Sequence, residues 1–263
     1  VGNSAALGTA GLTASGGTTL DSNSAVSLGN DLTLLGDLTV AGSNNLALTG
    51  TVSGAGGLTK NGVGALTLSG TNGYQGDTAL NAGTLVLGSA DALGAGALNA
   101  ANGTTLDTLG AMVFGNQLNL AGNLTLTGNN DLSLTSAVNG TGSLSKNGAG
   151  NLTLWGTNNY QGGTTLNAGR LTLANNAALG SGALTVGGAA TLAGSTALTL
   201  TNAVNLGASL TLNGVSDISL NGVVAGNGGL LKTGTGNLSL TGANTYLGGT
   251  SLGAGTLVLG LSL

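Results

Sequence analysis

"LTKNGVGALTLSGTNGY", residues 58–74, returns as "LSKNGAGNLTLWGTNNY" at 144–160 and as "LLKTGTGNLSLTGANTY" at 230–246. Lys60, Lys146 and Lys232 stand 86 residues apart (146 − 60 and 232 − 146), and Tyr74, Tyr160 and Tyr246 repeat both differences. A fixed period of this kind marks a repeat architecture and has to be read before any single residue. The register extends outward from the motif. "NDLTLLGDLTVAG" at 30–42 aligns with "NQLNLAGNLTLTG" at 116–128 and "NAVNLGASLTLNG" at 202–214. Three units, 1–86, 87–172 and 173–258, follow one another without insertion or deletion, and "LGLSL" at 259–263 reads as the start of a fourth.

Inside each unit the apolar signal has period two. "ALTLSG", "NLTLWG", "NLSLTG" and "TLVLG" alternate Leu or Val with a small residue and stop at Gly. That is the pattern of a short strand with one face buried. Gly and Asn between the strands read as corner residues able to supply positive φ. Asn-Gly pairs at 61–62, 102–103 and 221–222 would also suit antiparallel hairpins. The 86-residue period favours a solenoid instead: 86/4 is 21.5, close to the roughly 20-residue minimum of solenoid coils. Without insertions, every coil can stack on the next. The expected fold is all-β, a parallel β-solenoid of about four coils per repeat, continuous over residues 1–263. Leu66, Leu68, Leu152, Leu154, Leu238 and Leu240 should point inward, and Thr67, Thr153 and Ser239 outward. On that assignment Leu154→Asp abolishes folding and Thr153→Asp is tolerated.

Composition narrows the chemistry. The chain has 53 Gly, no Pro and no Cys, is 41% hydrophobic and only 5% charged, and carries a formal net charge of −4. Proline would delete a ladder hydrogen bond, so its absence suits continuous sheet. Four cations among 263 residues make no basic footprint for nucleic acid. No apolar run reaches the roughly 18 residues of a membrane-spanning helix. Five aromatic residues (one Trp, one Phe, three Tyr) are too few for the two girdles of a membrane barrel.

Written across its copies, the motif is G-x-G-x-L-x-K-x-G-x-G-x-L-x-L-x-G-x-N-x-Y-x-G-x-T-x-L-x-A-G-x-L-x-L at 54–87, 140–173 and 226–259. It resembles the autotransporter-associated β-strand repeat, also called the passenger-associated transport repeat. The resemblance implies a right-handed parallel β-helix in an exported passenger on the Gram-negative outer surface. It also implies a structural stem that aids outer-membrane passage and displays an adhesive region. The signal peptide and C-terminal translocator barrel that the resemblance also implies are not legible in these 263 residues.

No catalytic constellation is legible, and the expected protein is not an enzyme. All eight acids are aspartates. No two stand at the separation of neighbours on adjacent coils, roughly 21 or 22 residues at this period. Glycosidases need paired carboxyls about 5–9.5 Å apart. Without His, Cys or Glu there is no nucleophilic triad and no usual transition-metal ligand set. No cofactor is expected. Lys60, Lys146 and Lys232 should lie along the surface with packed stems and wet ammonium groups. Tyr74, Tyr160 and Tyr246 should cover corners. Copies of either residue should recur on one side of the solenoid, four coils or roughly 19 Å apart. Trp155 replaces Ser69 and Thr241 at an outward position and is the candidate for surface recognition of a glycan or protein partner. The other expected partner is a second copy or neighbouring solenoid segment, stacked end to end into a filament.

Overall fold

The computed structural model describes residues 1–260; Leu261–Leu263, part of the expected fourth copy, lie outside the described residues. The chain forms two compact units, Val1–Gly128 and Asn129–Leu263. Strands of three to five residues account for the regular structure of both. Their brevity follows from the sequence: in most of them two apolar residues flank one small residue, and Gly, Asn or Asp follows within two residues.

In the first unit, Leu12–Ala14, Thr18–Leu20 and Val26–Leu28 form the three sides of one coil. Each pairs in parallel with its counterpart one coil on, as in Leu12↔Leu32, Thr18↔Leu38 and Val26↔Leu46. The register step is 20 in all three (32 − 12, 38 − 18 and 46 − 26). It is occasionally one shorter or one longer, as in Leu66↔Leu85 (85 − 66 = 19) and Leu85↔Leu106 (106 − 85 = 21). Strands on the second side continue through Leu58–Lys60, Thr78–Leu80, Leu98–Ala100 and Leu118–Leu120. The second unit is built the same way. One of its sheets runs through Leu132–Leu134, Asn151–Leu154, Arg170–Leu173, Ala190–Gly194, Leu210–Leu212, Leu230–Lys232 and Thr250–Leu252. Another joins Leu144–Lys146, Thr164–Leu166, Leu184–Val186, Val204–Leu206 and Val224–Gly226. The third contains Leu198–Leu200, Ile218–Leu220, Leu238–Leu240 and Leu257–Leu259. The all-β parallel solenoid is therefore the observed fold.

Its core is a set of leucine columns. Leu66, Leu68, Leu152, Leu154, Leu238 and Leu240 are all buried, as the alternation requires. Each buried aliphatic side chain stabilises by roughly 1.5–3 kcal/mol through removal from water. Thr67 and Ser239 are half-buried on the outer surface. Thr153 departs from expectation and is only 8% exposed. It projects outward but is roofed by Asn151, whose Nδ2 donates to its Oγ1 at 2.9 Å, and by Thr172 beside it on the next coil.

Two local expectations are corrected. Positive φ is confined to glycine among the described residues, and no asparagine adopts it. Asparagine and aspartate work through side-chain bonds between coils. Asp31, Asp37, Asp77, Asp131 and Asp217 each accept the backbone N–H of the residue 20 positions on, at 2.7–2.9 Å. The coil length is also nearer 20 than 21.5. Since 86 = 4 × 20 + 6, each repeat advances four coils and about a third, so equivalent residues move to a different side. Within the second unit, Lys146 lies in the sheet of Leu144–Lys146 and Lys232 in that of Leu230–Lys232.

Candidate functional site

The recurring polar residues of the motif lie inside the solenoid. Lys60, Lys146 and Lys232 are 2%, 3% and 4% exposed, which overturns their placement along the wet surface. The reason is local. Each lysine ends an inward-alternating strand, and the chain then turns through Gly-rich sequence whose carbonyls are shut away from water. Lys60 Nζ donates to Gly62 O and, at 3.3 Å, to Ala82 O one coil on. Lys146 Nζ donates to Gly148 O and Ala168 O, and Lys232 Nζ to Gly234 O and Ala254 O. Only a long side chain with several donors can reach two carbonyls on successive coils.

Burial lowers the pKa of all three ammonium groups, because a low-dielectric surrounding penalises the charged form. Asp131 opposes that effect at Lys146, and Asp217 opposes it at Lys232.

The tyrosines of the first two copies are also core residues, not corner covers. Tyr74 and Tyr160 are fully buried, while Tyr246 is half-exposed. The Tyr74 Oη–Thr78 Oγ1 and Tyr160 Oη–Thr164 Oγ1 distances are 2.6 and 2.5 Å, and Tyr246 bonds Thr250 in the same way. A buried hydroxyl needs a partner, and the threonine four residues on provides it. Burial pushes the Tyr74 phenol well above its usual range and the Tyr160 phenol up to about 12, with the threonine bond pulling the other way.

Sequence reasoning gave no role to the motif asparagines, although Asn72, Asn158 and Asn244 recur at the same 86-residue spacing. They act where one side of the coil has no strand. Asn72 Oδ1 accepts the Val52 N–H at 2.8 Å, and its Nδ2 donates to Ala92 O at 2.6 Å. Asn158 bridges Val138 N and Ala178 O at the same two distances, and Asn244 Oδ1 accepts the Val224 N–H at 2.8 Å. The carboxamide thus adds side-chain bonds between coils beside the backbone bonds that remain there, such as Gly73 N to Val52 O at 2.8 Å and Asn159 N to Val138 O at 3.0 Å. Gly94 and Gly180 complete the arrangement at φ of 57° and 62°. A Cβ on either would lie 2.3 Å from the carbonyl oxygen of Tyr74 or Tyr160.

In the first two copies this constellation is shut away from solvent, with Lys60, Tyr74, Lys146 and Tyr160 all buried. No group of three or more potential metal ligands occurs among the described residues. With the observed coil length, acids on adjacent coils would be 19–21 apart, and no two of the eight aspartates have that separation. Trp155 lies at the corner after Asn151–Leu154 and is 51% exposed.

The family model of the passenger-associated-transport-repeat matches residues 58–87, 144–173 and 230–259. Each of these three stretches is similar to that repeat. No curated protein and no solved structure matches it.

Proposed function

We propose that the chain is a non-catalytic stem of an exported, outer-surface protein, which spaces an adhesive region from the cell and assists its passage across the outer membrane. The observation that supports this reading is the investment of the recurring lysines and asparagines in bonds between coils and of the tyrosines in bonds within the coil. Lys60 with its two carbonyls, Asn72 with its backbone pair and Tyr74 with Thr78 all face inward. A repeat selected for turnover or for repeated ligand capture would instead present its recurring groups outward.

The test places an epitope before Val1 and an outer-membrane translocator barrel after Leu263. Epitope labelling is then compared on intact and permeabilised cells. The expected result is labelling on intact cells by the unaltered chain and a several-fold loss when Asn72, Asn158 and Asn244 are all changed to Leu. Equal labelling would remove the folded repeat from export, and no labelling of the unaltered chain would remove the surface reading. Electron microscopy of the purified chain should show single short particles over a micromolar concentration range. Concentration-dependent filaments would replace the stem with an assembling subunit.

A further inference from the structure

We propose that the outer face of the second repeat binds an acidic oligosaccharide, with Trp155 as the stacking platform for one sugar ring and Arg170 as the carboxylate-binding group. The repeat itself provides the background against which this pair stands out. Trp155 occupies a position held by Ser69 and Thr241 in the other copies, and Arg170 one held by Thr84 and Thr256. These are the chain's single tryptophan and single arginine, and both depart from the small hydroxyl residues that the repeat otherwise puts there.

The fold brings them onto one surface. Asn151–Leu154 pairs in parallel with Arg170–Leu173, setting Asn151 beside Arg170 and Thr153 beside Thr172. Alternation puts Asn151 and Thr153 on the outer side of their strand, and Trp155 continues that row. Trp155 is therefore four residues along from the Asn151–Arg170 pair, roughly 13 Å at strand rise, and one coil spacing across. Arg170 Nε donates to Thr172 Oγ1 at 3.3 Å, which lays the guanidinium along the strand in the direction of the indole.

The backbone that carries the indole and the strand that carries the guanidinium are both held. Trp155 N donates to Leu134 O at 3.0 Å, and Asn175 Nδ2 fixes the corner by donating to Trp155 O at 2.7 Å and Gly156 O at 2.9 Å. Thr172 Oγ1 donates in turn to Asn151 Oδ1 at 2.9 Å. The nearest acid of that row, Asp131, lies two coils from Arg170, and its Oδ1 accepts the Asn151 N–H.

An indole presents a flat apolar face with a polar edge, which suits the C–H face of a sugar ring. A guanidinium recognises a carboxylate through two parallel N–H bonds. A chain of net charge −4 repels polyanions in general, so the ligand must be one that gains from this local pair. A uronic-acid oligosaccharide meets both requirements over a span of two or three sugar units.

This proposal does not rest on the stem reading, and its test uses the purified chain alone. Because Trp155 is the only tryptophan, its fluorescence reports this face and no other. Hexagalacturonate is titrated into the full chain, with maltohexaose as the neutral control. The expected result is a saturable change in emission with the uronate and none with maltohexaose at the same concentrations. Arg170→Thr should lose affinity by at least about ten-fold, the scale of one charge-assisted bond. Threonine is what the other repeats place there, so the variant keeps the fold, which circular dichroism checks. Absence of a saturable change with the uronate, an equal response to maltohexaose, or a smaller loss in Arg170→Thr would each overturn the proposal.

Discussion

Replacing Lys146 by Met keeps the length of the side chain and removes a charge from the interior, yet it should destabilise the solenoid. Gly148 O and Ala168 O would lose their donor, at about 1–3 kcal/mol for each carbonyl left unsatisfied. Asn158→Leu should cost more than an ordinary surface change for the same reason, since Val138 N and Ala178 O both lose their partner. Urea midpoints measure both. The lysines and tyrosines also fix a pH profile. The lysines have folded pKa values below the ordinary 10.5, so the unfolded chain holds more protons as pH approaches 10.5 and stability rises there. Tyr74 and Tyr160 have folded values above the ordinary 10.0; above that pH the unfolded chain loses phenolic protons first, and stability falls. Unfolding free energy should therefore pass through a maximum near pH 10, and the rising limb should vanish when all three lysines are Met. A flat profile from pH 8 to 11 would contradict the buried placement.

At the scale of the strand, alternation in "LTL" and "LSL" was enough to assign inside and outside, because the side-chain period of a strand is two. Leu34→Asp should unfold the neighbouring coils, whereas Thr33→Lys should shift the thermal midpoint little. Leu34 is fully buried and Thr33 exposed in the same three-residue strand. The roles of the polar motif residues were not legible in the same way. A lysine among glycines reads as surface because a buried cation is costly, and nothing local shows that two carbonyls on different coils await it. The asparagines were visible as recurring letters, but their partners lie one coil before and one coil after, and only the coil length identifies them. That length is itself hidden in the sequence, because the 86-residue period is not a whole number of 20-residue coils.

Each unit should tolerate changes in whole coils and resist fractions of one. Removing 199–218, one whole coil, joins Leu198 to Ser219 and restores the original column, since Leu198↔Ile218 and Thr199↔Ser219 are register partners. Removing only 199–208 would join Leu198 to Ser209 and place inward leucines on the wrong side of a coil. The first deletion should retain β-sheet circular dichroism and cooperative melting, and the second should lose both.

The fractional advance of the repeat has a mechanical meaning. In the second unit, the strandless stretch bridged by Asn158 follows Val138–Gly140, and the one bridged by Asn244 follows Val224–Gly226, on a different side of the coil. A mason offsets the joints of successive courses so that no crack finds a straight run. The solenoid does the same with its strandless stretches: each is still tied to the coil before it by backbone bonds such as Asn159 N to Val138 O and Thr245 N to Val224 O, and successive irregular stretches fall on different sides and do not line up along one.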